Sequence, residues 1–137
     1  MIRTDSVTSR SSMYNYNFGD INDLILAIRD KNPRVRKWAI ENIRNKELSA
    51  ERAFPLLIDA LKDENRDVRL QAVCALNELG RISCTPIEKL ADKAVPALAK
   101  LLRNEKEDFA LDFWTAQAFA RFALMNPKGL IEIIRGI

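Results

Sequence analysis

The groups in this chain that could carry chemistry are few: two thiols, Cys74 and Cys84, scattered hydroxyls, an acidic cluster at Glu105, Glu107 and Asp108, and a run of basic residues. Histidine is absent, so a serine, threonine or cysteine nucleophile would have no imidazole base, and the usual nitrogen ligand of zinc is missing. Gly19, Gly80, Gly129 and Gly136 stand isolated, which excludes a glycine-rich phosphate loop. Glu105, Glu107 and Asp108 fall in a predicted turn and read as solvated. Cys74 lies in a helical run that wants a small hydrophobe, so two free thiols in a reducing compartment are expected rather than a bridge. No catalytic residue, metal ligand or cofactor is predicted.

What remains is the chemistry of binding. Arg29, Lys31, Arg34, Arg36, Lys37, Arg44, Lys46 and Arg52 share one 24-residue window, while Glu105, Glu107, Asp108 and Asp112 make the last third locally acidic. A net charge of +3 is a mild bias that permits nucleic acid without demanding it, and a solvated face gives the same pattern. Arg34, Lys37, Arg44, Lys46 and Arg52 form the candidate basic patch. No positive stripe continues beyond it, as tracking several phosphates would require. Nucleic-acid association is therefore the alternative to protein binding.

The most unusual stretch is FALDFWTAQAFARFALM, residues 109–125. Projected at about 100° per residue, Phe109, Phe113, Ala116, Ala120 and Leu124 form one stripe, and Leu111, Trp114, Ala118, Phe122 and Met125 form another on roughly the opposite side. A terminal helix needs one buried stripe, and this one has two. Either residues 126–137 fold back, with Pro127 at the first helical position and Leu130, Ile131, Ile133 and Ile134 covering the second stripe, or that stripe is a protein interface anchored by Leu111, Trp114, Phe122 and Met125. A homodimer is one form that such an interface could take.

These residues need a scaffold, and the chain supplies one by repetition. DKNPRVRKWAIENI, residues 30–43, lies over DENRDVRLQAVCAL, residues 63–76, at a constant offset of 33: Asp30 over Asp63, Asn32 over Asn65, Val35-Arg36 over Val68-Arg69, Ala39 over Ala72. Ala94-Val95-Pro96-Ala97-Leu98 repeats Ala53-Phe54-Pro55-Leu56-Leu57 at an offset of 41, and about three extra residues then bring Ala116 and Ala120 over Ala72 and Leu76. Each unit opens with an apolar stripe such as Ile21, Leu24, Ile25 and Ile28. Asn32 or Asn65 is placed to cap a second helix carrying Val35, Trp38, Ala39 and Ile43, or Val68, Ala72, Ala75, Leu76 and Leu79. Gly80 is expected to close the second unit as a C′ residue, and Thr85, Pro86 and Glu88 predict a separate short helix near 86–91. Since one hairpin cannot hide its stripe, the units must stack. An all-α solenoid of about three helical hairpins follows, with units near 20–45, 50–80 and 93–125 and a C-terminal helix at 127–135. Residues 1–17 are expected to be a disordered tail before a repeat domain over 18–137, and Tyr14, Tyr16 and Phe18 are placed to pin the tail to the first helix.

No run reaches the roughly 18 apolar residues of a membrane span, so a soluble, cytoplasmic protein without membrane contact is expected. The pattern resembles the HEAT-repeat family, particularly the HEAT-like repeats of the phycobilisome-lyase type, over roughly residues 19–125. It is carried best by AFPLLIDALKDENRDVRLQAVCALNELG, residues 53–80, with Pro55, Leu61, Asp63, Val68-Arg69, Ala72, Ala75-Leu76 and Leu79-Gly80. The first unit has Asn22 at the proline position, and the third places Asp112-Phe113 where the Val-Arg pair would stand. The resemblance implies a curved stack with second helices on the inner face. It also implies that Arg36 and Arg69 pair with Asp30, Asp63 or Asp67 as structural residues. The functional expectation is a non-catalytic protein-binding or scaffold module that uses its second helices and the last one, and the resemblance adds an accessory role in bilin attachment or removal as a further alternative.

Overall fold

In the computed structural model, residues 16, 17, 19–45, 50–82, 88–104, 108–125 and 135 are described. Among them the chain forms six helices: α1 (Ile21–Ala27), α2 (Pro33–Asn45), α3 (Ala50–Ala60), α4 (Arg66–Ile82), α5 (Glu88–Asn104) and α6 (Phe109–Met125). Side-chain caps set four of the starts. Asp20 Oδ1 accepts from the Asn22 amide at 2.9 Å, and Asn32 Oδ1 from the Arg34 amide at 3.0 Å, with Pro33 at the position where a missing N–H costs nothing. Asn65 Oδ1 accepts from the amides of Asp67 and Val68 at 2.9 and 3.2 Å, and Asp108 Oδ1 from Leu111 at 3.1 Å. One step upstream, Asp30 and Asp63 accept the amides of Asn32 and Asn65, both at 2.8 Å, so the turn between helices is the same structure twice.

Successive helices pack as hairpins: α1 on α2, α3 on α4, α5 on α6. The second helices α2, α4 and α6 lie side by side, α4 in the middle, and α3 packs on α5. This is the all-α solenoid of stacked hairpins that the repeats imply. Its core is one continuous layer: Leu24, Val35, Ala39, Ile40, Ile43, Phe54, Leu57, Val68, Ala72, Val73, Leu76, Leu98, Leu111 and Phe122 are all buried. Phe54 of α3 meets Phe122 of α6 edge-on at 5.4 Å between ring centroids, tying the second hairpin to the third. Pro55 and Pro96 sit inside α3 and α5 on exposed positions, where water can take the hydrogen bond that proline forgoes.

Four sequence expectations are corrected. Gly80 does not end a helix: α4 runs on to Ile82, Gly80 is buried, and no described glycine has a positive φ. A methyl group on Gly80 would stand 2.8 Å from Arg121 Cδ and 3.0 Å from Phe122 Cζ, so this glycine is there to let α6 approach. No separate helix precedes the third hairpin among the described residues, because residues 88–91 are the first turn of α5. Trp38 is exposed, and Ile40 takes the core position instead. Finally, the third copy sits one residue out of the expected register. Counting from the caps Asn65 and Asp108, Thr115 lies over Ala72 and Phe119 over Leu76; Thr115 is buried while Ala116 and Ala120 face solvent. One residue turns a helix by about 100°, enough to exchange its faces. The proposed C-terminal helix 127–135, apart from Arg135, and the N-terminal tail, apart from Tyr16 and Asn17, lie outside the described residues.

Candidate functional site

The repeat pattern first builds joints between units. Arg36 is buried on α2, and its guanidinium spans two repeats. Nε and Nη2 donate to the two carboxylate oxygens of Asp63 at 2.8 and 2.9 Å, while Nη1 donates to the carbonyls of Asp30 and Lys31 at 2.8 and 3.0 Å. The side chains of Arg36 and Asp63 are only 10% and 13% exposed, and a planar fork held bidentately fixes the register of one hairpin on the next. Arg69 makes the equivalent backbone contact one unit on, Nη1 donating to the Asp63 carbonyl at 2.7 Å. Of the carboxylates that the resemblance pairs with Arg36, the structure brings Asp63 to it, while Asp30 contributes its carbonyl oxygen.

At the second joint the sequence left no comparable signal. Arg66, the first residue of α4, donates Nη2 to Asp108 Oδ1 at 2.9 Å and Nε to Asp108 Oδ2 at 2.5 Å, and a third bond reaches Asp67 at 3.0 Å. The Arg66 guanidinium, aided by the Leu111 amide, holds the Asp108 carboxyl at about 2 instead of 3.8, and Asp108, then Asp67, push the Arg66 pKa further up. Arg121 Nε donates to Asn77 Oδ1 at 2.8 Å from α6 back to α4. Spacing from cap to cap, Asn65 to Asp108, was the signal that could have located this joint. At the N-terminal end, Tyr16 Oη donates to Asp30 Oδ2 at 2.8 Å; that bond, then burial, raises the Tyr16 pKa. Tyr14 and Phe18 lie outside the described residues.

The candidate basic patch does not gather. Arg34 is exposed at the start of α2, and Arg44, ten residues on and so roughly 15 Å along the helix, turns to α4, where it bonds Gln71 at 3.2 Å and Glu78 at 3.3 Å. Lys37 is half-buried, Arg52 is exposed on α3 in the other row of helices, and Lys46 lies outside the described residues. Cys74 is a free, half-buried thiol whose pKa burial raises, Arg44 pulling it down and Glu78 up, which suits an inert core residue. An open cleft of about 520 Å³ follows the first joint, lined by Arg29, Lys31, Asp59 and Glu64 besides the clamp itself. A second, of about 320 Å³, lies between Lys62, Arg69 and Lys100. Among the described residues no group of three or more histidine, cysteine, aspartate or glutamate side chains is placed to hold a metal, and no helix is long and apolar enough to cross a membrane.

The apolar candidates on α6 divide differently from the expectation. Leu111 and Phe122 are buried in the core and cannot anchor a partner; Trp114 is 39% exposed, and the Met125 side chain lies outside the described ones. The open stripe is the other one: Phe109 and Leu124 are each 83% exposed and Phe113 is 48% exposed, with Ala116 and Ala120 exposed between them. Phe113 and Trp114 stack edge-on at 5.3 Å. The one-residue register shift accounts for the exchange of faces.

Counted from the caps, Phe109, Phe113, Ala116 and Ala120 occupy the positions of Arg66, Leu70, Val73 and Asn77. Of these, Arg66 and Asn77 bond the third hairpin, and Val73 is fully buried. The open stripe of α6 is therefore the face on which an earlier second helix receives the next hairpin. A stack of helical hairpins with Asp-Asn turns and a Val-Arg pair at the start of two of its second helices, and with arginine clamps between units, defines a helical-repeat protein. The profile of HEAT repeats matches residues 21–112, and the chain belongs to the HEAT-repeat family. Its repeat domain is consistent, in general terms, with a non-catalytic role in protein interaction. No curated protein matches the chain.

Proposed function

We propose that the protein is a non-catalytic interaction module that binds another protein through the open face of α6. One observation carries this reading: four large apolar side chains, Phe109, Phe113, Trp114 and Leu124, stand exposed on a single helix, three of them on the face that α4 uses for stacking. A large apolar patch left exposed on a helix face marks an interaction surface. A photo-activated cross-linker at position 113, compared with one at exposed Asp59 on α3, tests the reading. Protein adducts are expected at 113 and not at 59; equal yields would overturn it.

The nucleic-acid alternative has weaker support, since Arg44 is engaged by α4 and Arg34 and Arg52 lie on different rows of helices. A gel-shift titration at two salt concentrations addresses it, because phosphate contacts weaken steeply with salt. An accessory role in bilin attachment fares no better: both clefts are open and carry charged side chains such as Arg29, Asp59, Lys62 and Lys100 beside their apolar lining, whereas a large conjugated ligand needs a pocket that encloses it. Half-buried free Cys74 fits a reducing compartment such as the cytoplasm.

A further inference from the structure

We infer that Tyr16 stands in the first hairpin for the clamp arginine that an earlier unit would supply, and that Tyr16, Asn17, Gly19 and Asp20 form a strap closing that hairpin. The inference starts from a turn built twice with different occupants. At Asp63 one carboxylate oxygen accepts the Asn65 amide at 2.8 Å, and Arg36, from the unit before, donates Nε to the other oxygen at 2.8 Å. At Asp30 one oxygen accepts the Asn32 amide, also at 2.8 Å, and the other accepts the Tyr16 hydroxyl at 2.8 Å. The acceptor and the amide are the same in both turns, and only the outside donor differs. Asp30 is half-buried, and a carboxylate in that setting is costly without a donor. With Tyr16 in place, the first hairpin needs no earlier unit to satisfy its turn.

A phenol offers one donor where the guanidinium fork offers several, and its ring supplies a second attachment by packing against the hydrophobic core. The backbone behind it is pinned in turn. The Asn17 amide donates to Asp23 Oδ2 at 2.7 Å, Asn17 Oδ1 accepts the Gly19 amide at 2.9 Å, and the Asn17 carbonyl accepts the Asp20 amide at 2.8 Å, before Asp20 caps α1. The strap therefore runs from the start of α1 to the turn beyond its end. That matters because α1 has seven residues, too few to hold a helix through its own hydrogen bonds. The same bond acts on the phenol: donation to Asp30, then burial, then the charges of Asp30 and Asp23, keep Tyr16 protonated to higher pH than an ordinary tyrosine.

The test uses the full chain and reads hydrogen exchange of the α1 amides. Tyr16→Phe keeps the ring and removes the donor, and should speed that exchange by about tenfold. Tyr16→Arg should restore most of the protection, because the turn would then hold the type of donor that Arg36 gives Asp63. Adding Asp30→Asn should abolish the restoration, since no charge is left for the guanidinium to grip. A second readout follows the phenol itself. With Tyr14→Phe, Tyr16 is the one tyrosine of the chain; its absorbance should titrate above the ordinary 10.0 and move back toward it when Asp30→Asn is added. Natural exchange rates in Tyr16→Phe, or a phenol that titrates at the ordinary value, would overturn the strap. Exchange in Tyr16→Arg as fast as in Tyr16→Phe would overturn the claim that Tyr16 holds an arginine's place.

Discussion

The stacking faces of α4 and α6 hold the same register and do opposite things. On α4 the face is closed. Arg66 grips Asp108, Asn77 accepts from Arg121, and Val73 is buried between these polar contacts. On α6 the equivalent positions hold Phe109, Ala120 and Ala116, all exposed. Inside the stack, polar groups at the rim dictate which hairpin docks and where, because a misplaced neighbour would leave a charge unpaired. On α6 that polar dictation is gone and apolar shape remains. The difference teaches that register within the chain is set by ion pairs, whereas association beyond it would be set by fit.

The largest effect that would sharpen this contrast is the removal of an aromatic ring from each face of α6. Phe122→Ala opens a cavity beside Phe54 and should destabilise the fold by about 3–5 kcal/mol in urea unfolding. Phe109→Ala, on the open stripe of the same helix, should change the stability of the dilute chain by no more than about 0.5 kcal/mol. Similar losses for both would mean that the open face is covered. Next comes the first joint. Arg36→Ala strands the mostly buried Asp63 carboxylate and two carbonyls, and should cost about 3 kcal/mol, seen as a lower urea midpoint. Arg34→Ala, one helix position from the same turn but exposed, should be nearly neutral.

A third variant tests closeness rather than charge. Gly80→Val would drive branched methyls into Arg121 and Phe122 and should cost about 1–3 kcal/mol. Gly80→Ala should cost less, since the gain of about 1 kcal/mol in helix propensity is set against displacing Arg121 from Asn77 and pressing on the buried Phe122 ring. If Gly80→Val were harmless in thermal unfolding, the tight α4–α6 approach would lose its support.

The hairpins and the clamp residues were legible because they recur. Asn32 and Asn65 lie 33 residues apart with the same neighbours, so capping, the Val-Arg pair and the core alanines align without structure. The third hairpin was not legible in the same way. Its cap is Asp108 instead of asparagine, its Val-Arg pair has become Leu111-Asp112, and alanines at 110, 116, 118, 120 and 123 let several registers look equally good. Small side chains fit a buried or an exposed position about equally well, so periodicity alone could not say which of the two stripes faced inward. For the same reason Gly80 read as a helix end: a close approach between two helices leaves the same glycine in the sequence as a left-handed turn does.

The smallest effect concerns the pair at the closed joint, Arg66 and Asp108. Asp108→Asn keeps an oxygen to accept the Leu111 amide but removes the charge and the second oxygen that accepts from Arg66, so it separates capping from ion pairing. In the folded chain the carboxyl titrates at about 2 rather than the ordinary 3.8, so between these values the unfolded state binds more protons and stability falls as acid is added. The stabilisation by the charge is whole above about pH 4 and disappears as pH drops through the folded value. The urea midpoints of the natural chain and of Asp108→Asn should therefore differ by a constant amount from about pH 5 to 7, converge between about pH 4 and 2, and meet below that. Because both partners are partly exposed, the neutral-pH difference should also shrink in concentrated salt. A difference that ignores both pH and salt would mean that Asp108 acts at this joint as a helix cap alone. The closed face of α4 would then be held, like the open face of α6, mainly by shape.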